Sequence, residues 1–149
     1  MNQIPKSELR HVDHIAVGVD RSKFSYEQID KSYQDIKIGI TRLAGGVVAF
    51  LSDGTWTAGS QAGCYSSPIE HNTALNFIVT LTWNEQASGI WESIKIKIAD
   101  VVREHDLNCC NIHVVSWDAQ PMHFHVQDVV ASNDNTSNTD DKIIKRGAA

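Results

Sequence analysis

"TALNFIVTLTW", residues 73–83, sets Leu75, Phe77, Val79, Leu81 and Trp83 in alternation with Asn76, Ile78, Thr80 and Thr82. Successive side chains of an extended chain leave opposite faces, so this pattern predicts a strand with one apolar and one largely polar face. Upstream, "VDHIAVGVD", residues 12–20, alternates in the same way. Ile15, Val17 and Val19 fall on one side, and His14, Ala16 and Gly18 on the other. Two such strands form a sheet that needs cover on its apolar face only.

The segments that follow these strands carry helical spacing. In "FSYEQI", residues 24–29, Ser25 is a candidate N-cap and Gln28 completes a capping box, with Phe24 positioned to staple onto Ile29. Ile29, Tyr33, Ile36, Ile40 and Leu43 continue the stripe until Gly45 and Gly46 supply a stop. "IKIGI" competes, because it alternates like a strand and is rich in β-branched residues. A second helix is expected from about Glu85 to Leu107, with Trp91, Ile94, Ile98, Val101, Val102 and His105 on one stripe.

Two hairpins are also expected. "VVAFLSDGTWT", residues 47–57, places Asp53-Gly54 between extended runs, a dipeptide favoured in type I′ turns, with Leu51 facing Trp56. "NIHVVSW" and "MHFHVQDV" would pair around "DAQP", residues 118–121. Residues 58–72, rich in Gly and Ser, read as a long loop. The order is then strand, helix and two strands, given twice. This predicts an α+β domain over residues 1–130, with a ferredoxin-like antiparallel sheet, two helices on one face, and a duplicated βαββ unit as its possible origin. Residues 131–149 are polar, poor in apolar side chains, and read as a disordered tail.

Composition narrows the function. The 149 residues are 42% hydrophobic and 21% charged, with a net charge of -5. An acidic chain of this kind opposes long-range attraction to phosphate backbones or anionic lipid, so neither nucleic acid nor membrane is an expected partner. No segment is apolar for long enough to span a bilayer, and the N-terminus lacks a signal-peptide core, which makes the cytoplasm the expected location. Cys64, Cys109 and Cys110 are an odd set with two adjacent members, read as reduced thiols. No P-loop, G-x-G-x-x-G, H-E-x-x-H or G-x-S-x-G pattern occurs. Cys64 precedes His71 by seven residues, without a neighbouring cation or helix start to activate the thiol.

Histidine offers the remaining chemistry. His123 and His125 in "QPMHFHVQD" would leave one face of an extended strand, whereas His113 falls on the other face in the simplest register of the second hairpin. His14 could supply a third ligand to a divalent metal alongside His123 and His125. "HVDHIAVGV", residues 11–19, resembles the opening strand of the vicinal oxygen chelate metalloenzymes, which carry metal ligands on the strands of paired βαβββ modules. Asn76 stands where that pattern would place another ligand, and each half here has one strand fewer, so the family is not assigned.

Read collectively, the helix-free face joins Ala16, Gly18, Asn76, Thr80 and Thr82 with His14, His123 and His125, and with Trp56 as an aromatic wall. Such a surface suits a small-molecule pocket in a homo-oligomer. The expected function is a small cytosolic oligomer that binds a small polar ligand through His14, Trp56, Asn76, Thr80, His123 and His125, with little or no catalysis and no cofactor. The alternatives are a divalent-metal enzyme built on His14, His123 and His125, and an accessory factor that binds a protein partner through the sheet edge or "DKIIKR", residues 141–146.

Overall fold

The computed structural model describes residues 9–57, 68–82, 84–107, 112–122 and 126–129. In chain order these give β1 (Arg10–Asp20), α1 (Tyr26–Ala44), β2 (Val48–Thr57), β3 (Ile69–Thr82), α2 (Ala87–Glu104) and β4 (His113–Ala119). The four strands form one antiparallel sheet in the order β2-β3-β1-β4. This is the βαββαβ arrangement of a ferredoxin-like α+β fold.

Alternation decides which face the helices cover. Ile15, Val17 and Val19 of β1, with Leu75, Phe77, Val79 and Leu81 of β3, are buried against Ile29, Ile36 and Ile40 of α1 and Ile94, Ile98 and Val101 of α2. Tyr33 stacks on Phe77 with ring centroids 5.8 Å apart. The contest over "IKIGI" resolves as helix. Ser25 accepts from the Gln28 backbone N–H while the Gln28 side chain accepts from the Ser25 N–H, so the expected capping box starts α1. Gly45, at φ 86°, ends it by donating to the Thr41 carbonyl. That left-handed conformation is one glycine adopts without a Cβ clash. At the outer margin, Leu43 is exposed and does not join the core.

The structure corrects both hairpins. β2 runs unbroken through Asp53 and Gly54, pairing with β3 from Val48 opposite Ile78 to Thr57 opposite Ile69. Among the described residues only Gly45 and Asp106 have positive φ, so the two positive angles of a type I′ turn are missing. Leu51 lies opposite Leu75, and Trp56 opposite Glu70. β3 is the reason: it begins at Ile69, inside the expected loop, and offers β2 a partner along its whole length. A continuous ladder satisfies more backbone groups than a fold-back would.

The second hairpin fails at Pro121. β4 pairs with β1, placing Trp117 opposite Val12 and Val115 opposite His14. Residues 120–122 belong to no strand, and residues 126–129 form a helical turn. Proline lacks the N–H that a ladder requires. Each half therefore contributes βαβ, not βαββ, among the described residues. His123, His125, Cys64, Cys109, Cys110 and the tail 131–149 lie outside the described residues.

Candidate functional site

The open face of the sheet gathers the even-numbered residues of β1, β2 and β3 and the odd-numbered residues of β4. β1 gives it Val12, His14, Ala16 and Gly18; β3 gives Asn72, Ala74, Asn76, Ile78 and Thr80; β2 gives Phe50, Ser52, Gly54 and Trp56. His113, Val115 and Trp117 of β4 complete it. His14, Asn76 and Thr80 thus share the face that alternation assigned to them, and Trp56 joins them because β2 is continuous, whereas the expected hairpin set it opposite Leu51.

Asn76 is the centre of a polar network. Its Nδ2 donates to Ser52 Oγ at 2.8 Å and to the carbonyls of Ala74 and Phe50 at 3.1 and 3.3 Å. Three oxygen partners fix the amide orientation and leave Oδ1 to accept from His14 Nε2 at 3.0 Å. The neutral His14 imidazole must then carry its proton on Nε2, which leaves Nδ1 as an acceptor. Asn76 is 5% exposed and His14 half-buried, with the Phe50 ring centroid 6.0 Å from that of His14. The network is a preorganised acceptor beside an aromatic wall.

The other residues do not converge on that centre. Thr80 lies four positions along β3 from Asn76, about 13 Å at the rise of a strand. The six-membered ring of Trp56 rests against Gly54 and reaches Gly18. A Cβ on Gly54 would overlap Trp56 Cζ3, and one on Gly18 would stand 3.4 Å from Cη2. Gly54 is what admits the ring, whereas a Cβ on Gly18 would meet it in ordinary van der Waals contact. Ser52, Phe50 and Asn72 escaped the sequence reading because a hairpin was expected to break β2 and a loop was expected to extend to residue 72. Residues 69–74, Ile-Glu-His-Asn-Thr-Ala, carry no period-two pattern of polar and apolar side chains, so nothing local marked the earlier start of β3.

A second polar group sits on the opposite, helix-side face. Asp13, 1% exposed, accepts from Ser116 Oγ across the β1–β4 pair and from His11 Nε2 at 3.1 Å. His11 Nδ1 is 3.5 Å from Asp118 Oδ1. These contacts fasten the short edge strand to β1. Asp13 shares the parity of Ile15, so its burial was legible in the alternation although its polarity argued against it. His105 Nε2 pairs with Asp35 Oδ2 at 2.8 Å and ties the end of α2 to α1.

Among the described residues no group of three or more His, Cys, Asp or Glu side chains is arranged to hold a metal. His14 is the one proposed ligand they include, since His123 and His125 fall outside them. No described helix is long and apolar enough to cross a membrane.

No protein-family model matches the sequence, and no curated protein matches it. Solved structures with a similar fold include a phage SAM lyase in its apo state, 11% identical with a TM-score of 0.47, covering 84% of this chain and 98% of that one. The periplasmic divalent cation tolerance protein CutA from Archaeoglobus fulgidus is 13% identical with a TM-score of 0.36, covering 85% and 97%. Hydroxynitrile lyase from Passiflora edulis is 15% identical with a TM-score of 0.39, covering 76% and 97%. At these values the likeness concerns fold and carries nothing about activity.

Proposed function

We propose that this chain is a cytoplasmic homo-oligomer that holds a small polar ligand on the open face of its sheet, without substantial catalysis. The observation that supports the reading is the Asn76 amide, whose four hydrogen bonds lock His14 in one tautomer with Nδ1 as acceptor. A side chain so constrained costs little entropy to present to a ligand. Phe50 and Trp56 supply apolar walls, and Thr80 a peripheral hydroxyl. A thermal-shift screen of small polar compounds tests it. The expected result is saturable stabilisation of the native chain that is lost in His14→Ala; stabilisation that His14→Ala leaves intact counts against the site.

One observation also favours the metal alternative. Metal-binding histidines commonly donate their second ring N–H to a fixed oxygen, and Asn76 Oδ1 plays that part for His14. His14 Nδ1 would be the donor atom, completed by His123 and His125. Elemental analysis of protein never exposed to chelator is the measurement; the metal reading expects close to one equivalent per chain, and a value near zero removes it.

A further inference from the structure

One corner of the open face holds an arrangement that the His14–Asn76 network does not use. Asn72 of β3 lies between Asp20 of β1 and Gly54 of β2, and Glu70 lies opposite Trp56. All of these positions share the parity of the open face. Asn72 is 9% exposed, yet its Oδ1 accepts no hydrogen bond among the described residues. A buried amide oxygen without a donor destabilises the fold unless something else supplies one. Asn72 Nδ2 and Trp56 Cη2 both lie within 4 Å of where a Cβ on Gly18 would be, which places the orphaned amide beside the indole.

Charge at this corner is negative. Glu70 is exposed, and Asp20 is held below the usual carboxylate range by the hydroxyl and the backbone N–H of Ser22, with Lys23 Nζ at 3.8 Å. The nearby guanidinium of Arg21 is engaged elsewhere, 2.8 Å from Asp53 Oδ1. A cavity of about 450 Å³, lined by Asp20, Arg21, Ser22, Ile69, Glu70 and His71, opens at the same end of the sheet. An unsatisfied acceptor, the exposed Glu70 carboxylate beside the Ser22- and Lys23-bound Asp20, and an indole are together the groups that recognise a cation bearing N–H donors, because the carboxylates and the ring face attract positive charge and the amide oxygen accepts a hydrogen bond from an N–H.

We infer that the Asn72–Trp56 corner is a subsite for a small organic cation with N–H donors, a guanidinium or primary ammonium group. The inference rests on the reading of the open face as a ligand-binding surface and adds the charge class of what binds there. Titration calorimetry of the full chain with butylguanidinium, with its neutral isostere butylurea, and with pentanoate tests it. Butylguanidinium should bind saturably, butylurea about tenfold or more weakly, and pentanoate not at all. Glu70→Gln, an exposed change that leaves the fold intact, should weaken butylguanidinium about tenfold while butylurea is unaffected. Equal binding of the cation and its neutral isostere, or unchanged binding in Glu70→Gln, overturns the subsite. Failure of butylguanidinium to bind, beside screening hits that depend on His14, overturns the subsite while leaving the broader reading in place. Loss of every hit's dependence on His14, with butylguanidinium still sensitive to Glu70→Gln, supports the subsite and removes the His14 site instead.

Discussion

Replacing Asn76 by leucine removes the acceptor of His14 and the donor to Ser52 and to two backbone carbonyls at a position that is 5% exposed. Buried groups left unpaired cost about 1–3 kcal/mol, so Asn76→Leu should lower unfolding free energy by that order in a urea titration. Ser52→Ala, which strips one contact from the same amide, should cost about 1 kcal/mol. Asp20 makes a prediction about acid. Its carboxyl is lowered from 3.8, chiefly by the Ser22 hydroxyl and then by the Ser22 N–H. A depressed carboxyl contributes stability that is fully present above the unfolded-state value and is lost as pH falls through the native one. Ser22→Ala removes the largest cause. The variant's stability should therefore fall less steeply as the pH drops below about 4, followed by circular dichroism during denaturant titration.

Strand β2 shows how an element can defeat its own local signal. Asp53-Gly54 is a strong hairpin dipeptide, yet here Gly54 serves a close approach: its missing Cβ gives room to Trp56. Gly54→Ala should destabilise by about 1–3 kcal/mol through overpacking. The double variant Gly54→Ala/Trp56→Leu should recover part of that loss, a coupling that denaturation midpoints of the four chains would expose. The alternation of β1 and of residues 73–82 was legible without structure, because burial on one face only writes period two directly into the sequence. The capping box and Gly45 marked both ends of α1 for a similarly local reason. What stayed illegible depended on partners distant in the chain. The straightness of β2 follows from the length of β3, and the pairing of β4 with β1 follows from a strand about a hundred residues earlier. Of the site, the placement of His14, Asn76 and Thr80 on one face could be read from parity, whereas that of Trp56 depended on β2 running straight through Asp53 and Gly54. Ser52, Phe50 and Asn72 could not, because they required β2 and β3 to be drawn to their full extent.

At the scale of the whole molecule, the sheet has two edges, β2 and β4, with no further described strand beyond either. β4 exposes Val115 (62%) and Trp117 (43%) on the open face and Val114 (40%) on the other, and it contains neither lysine nor proline. Edges without such protection favour pairing with another chain. Under the proposed homo-oligomer, Val115→Lys should reduce the solution mass measured by light scattering while leaving the circular dichroism spectrum unchanged. A mass that is already that of one chain, or one unaltered by the lysine, removes β4 as the contact.

The strand order also sets the tempo of folding. Ser52 and Asn76, which meet across β2 and β3, are 24 positions apart; His14 and Asn76 across β1 and β3 are 62 apart; Asp13 and Ser116 across β1 and β4 are 103 apart. Among the described residues no tight turn joins two strands of the sheet, and each successive ladder closes a larger loop before its hydrogen bonds return anything. The capped α1 can form early on its own. The seam between β1 and β4, closed across the longest separation and only seven residues long, is then the last to lock and the first to open.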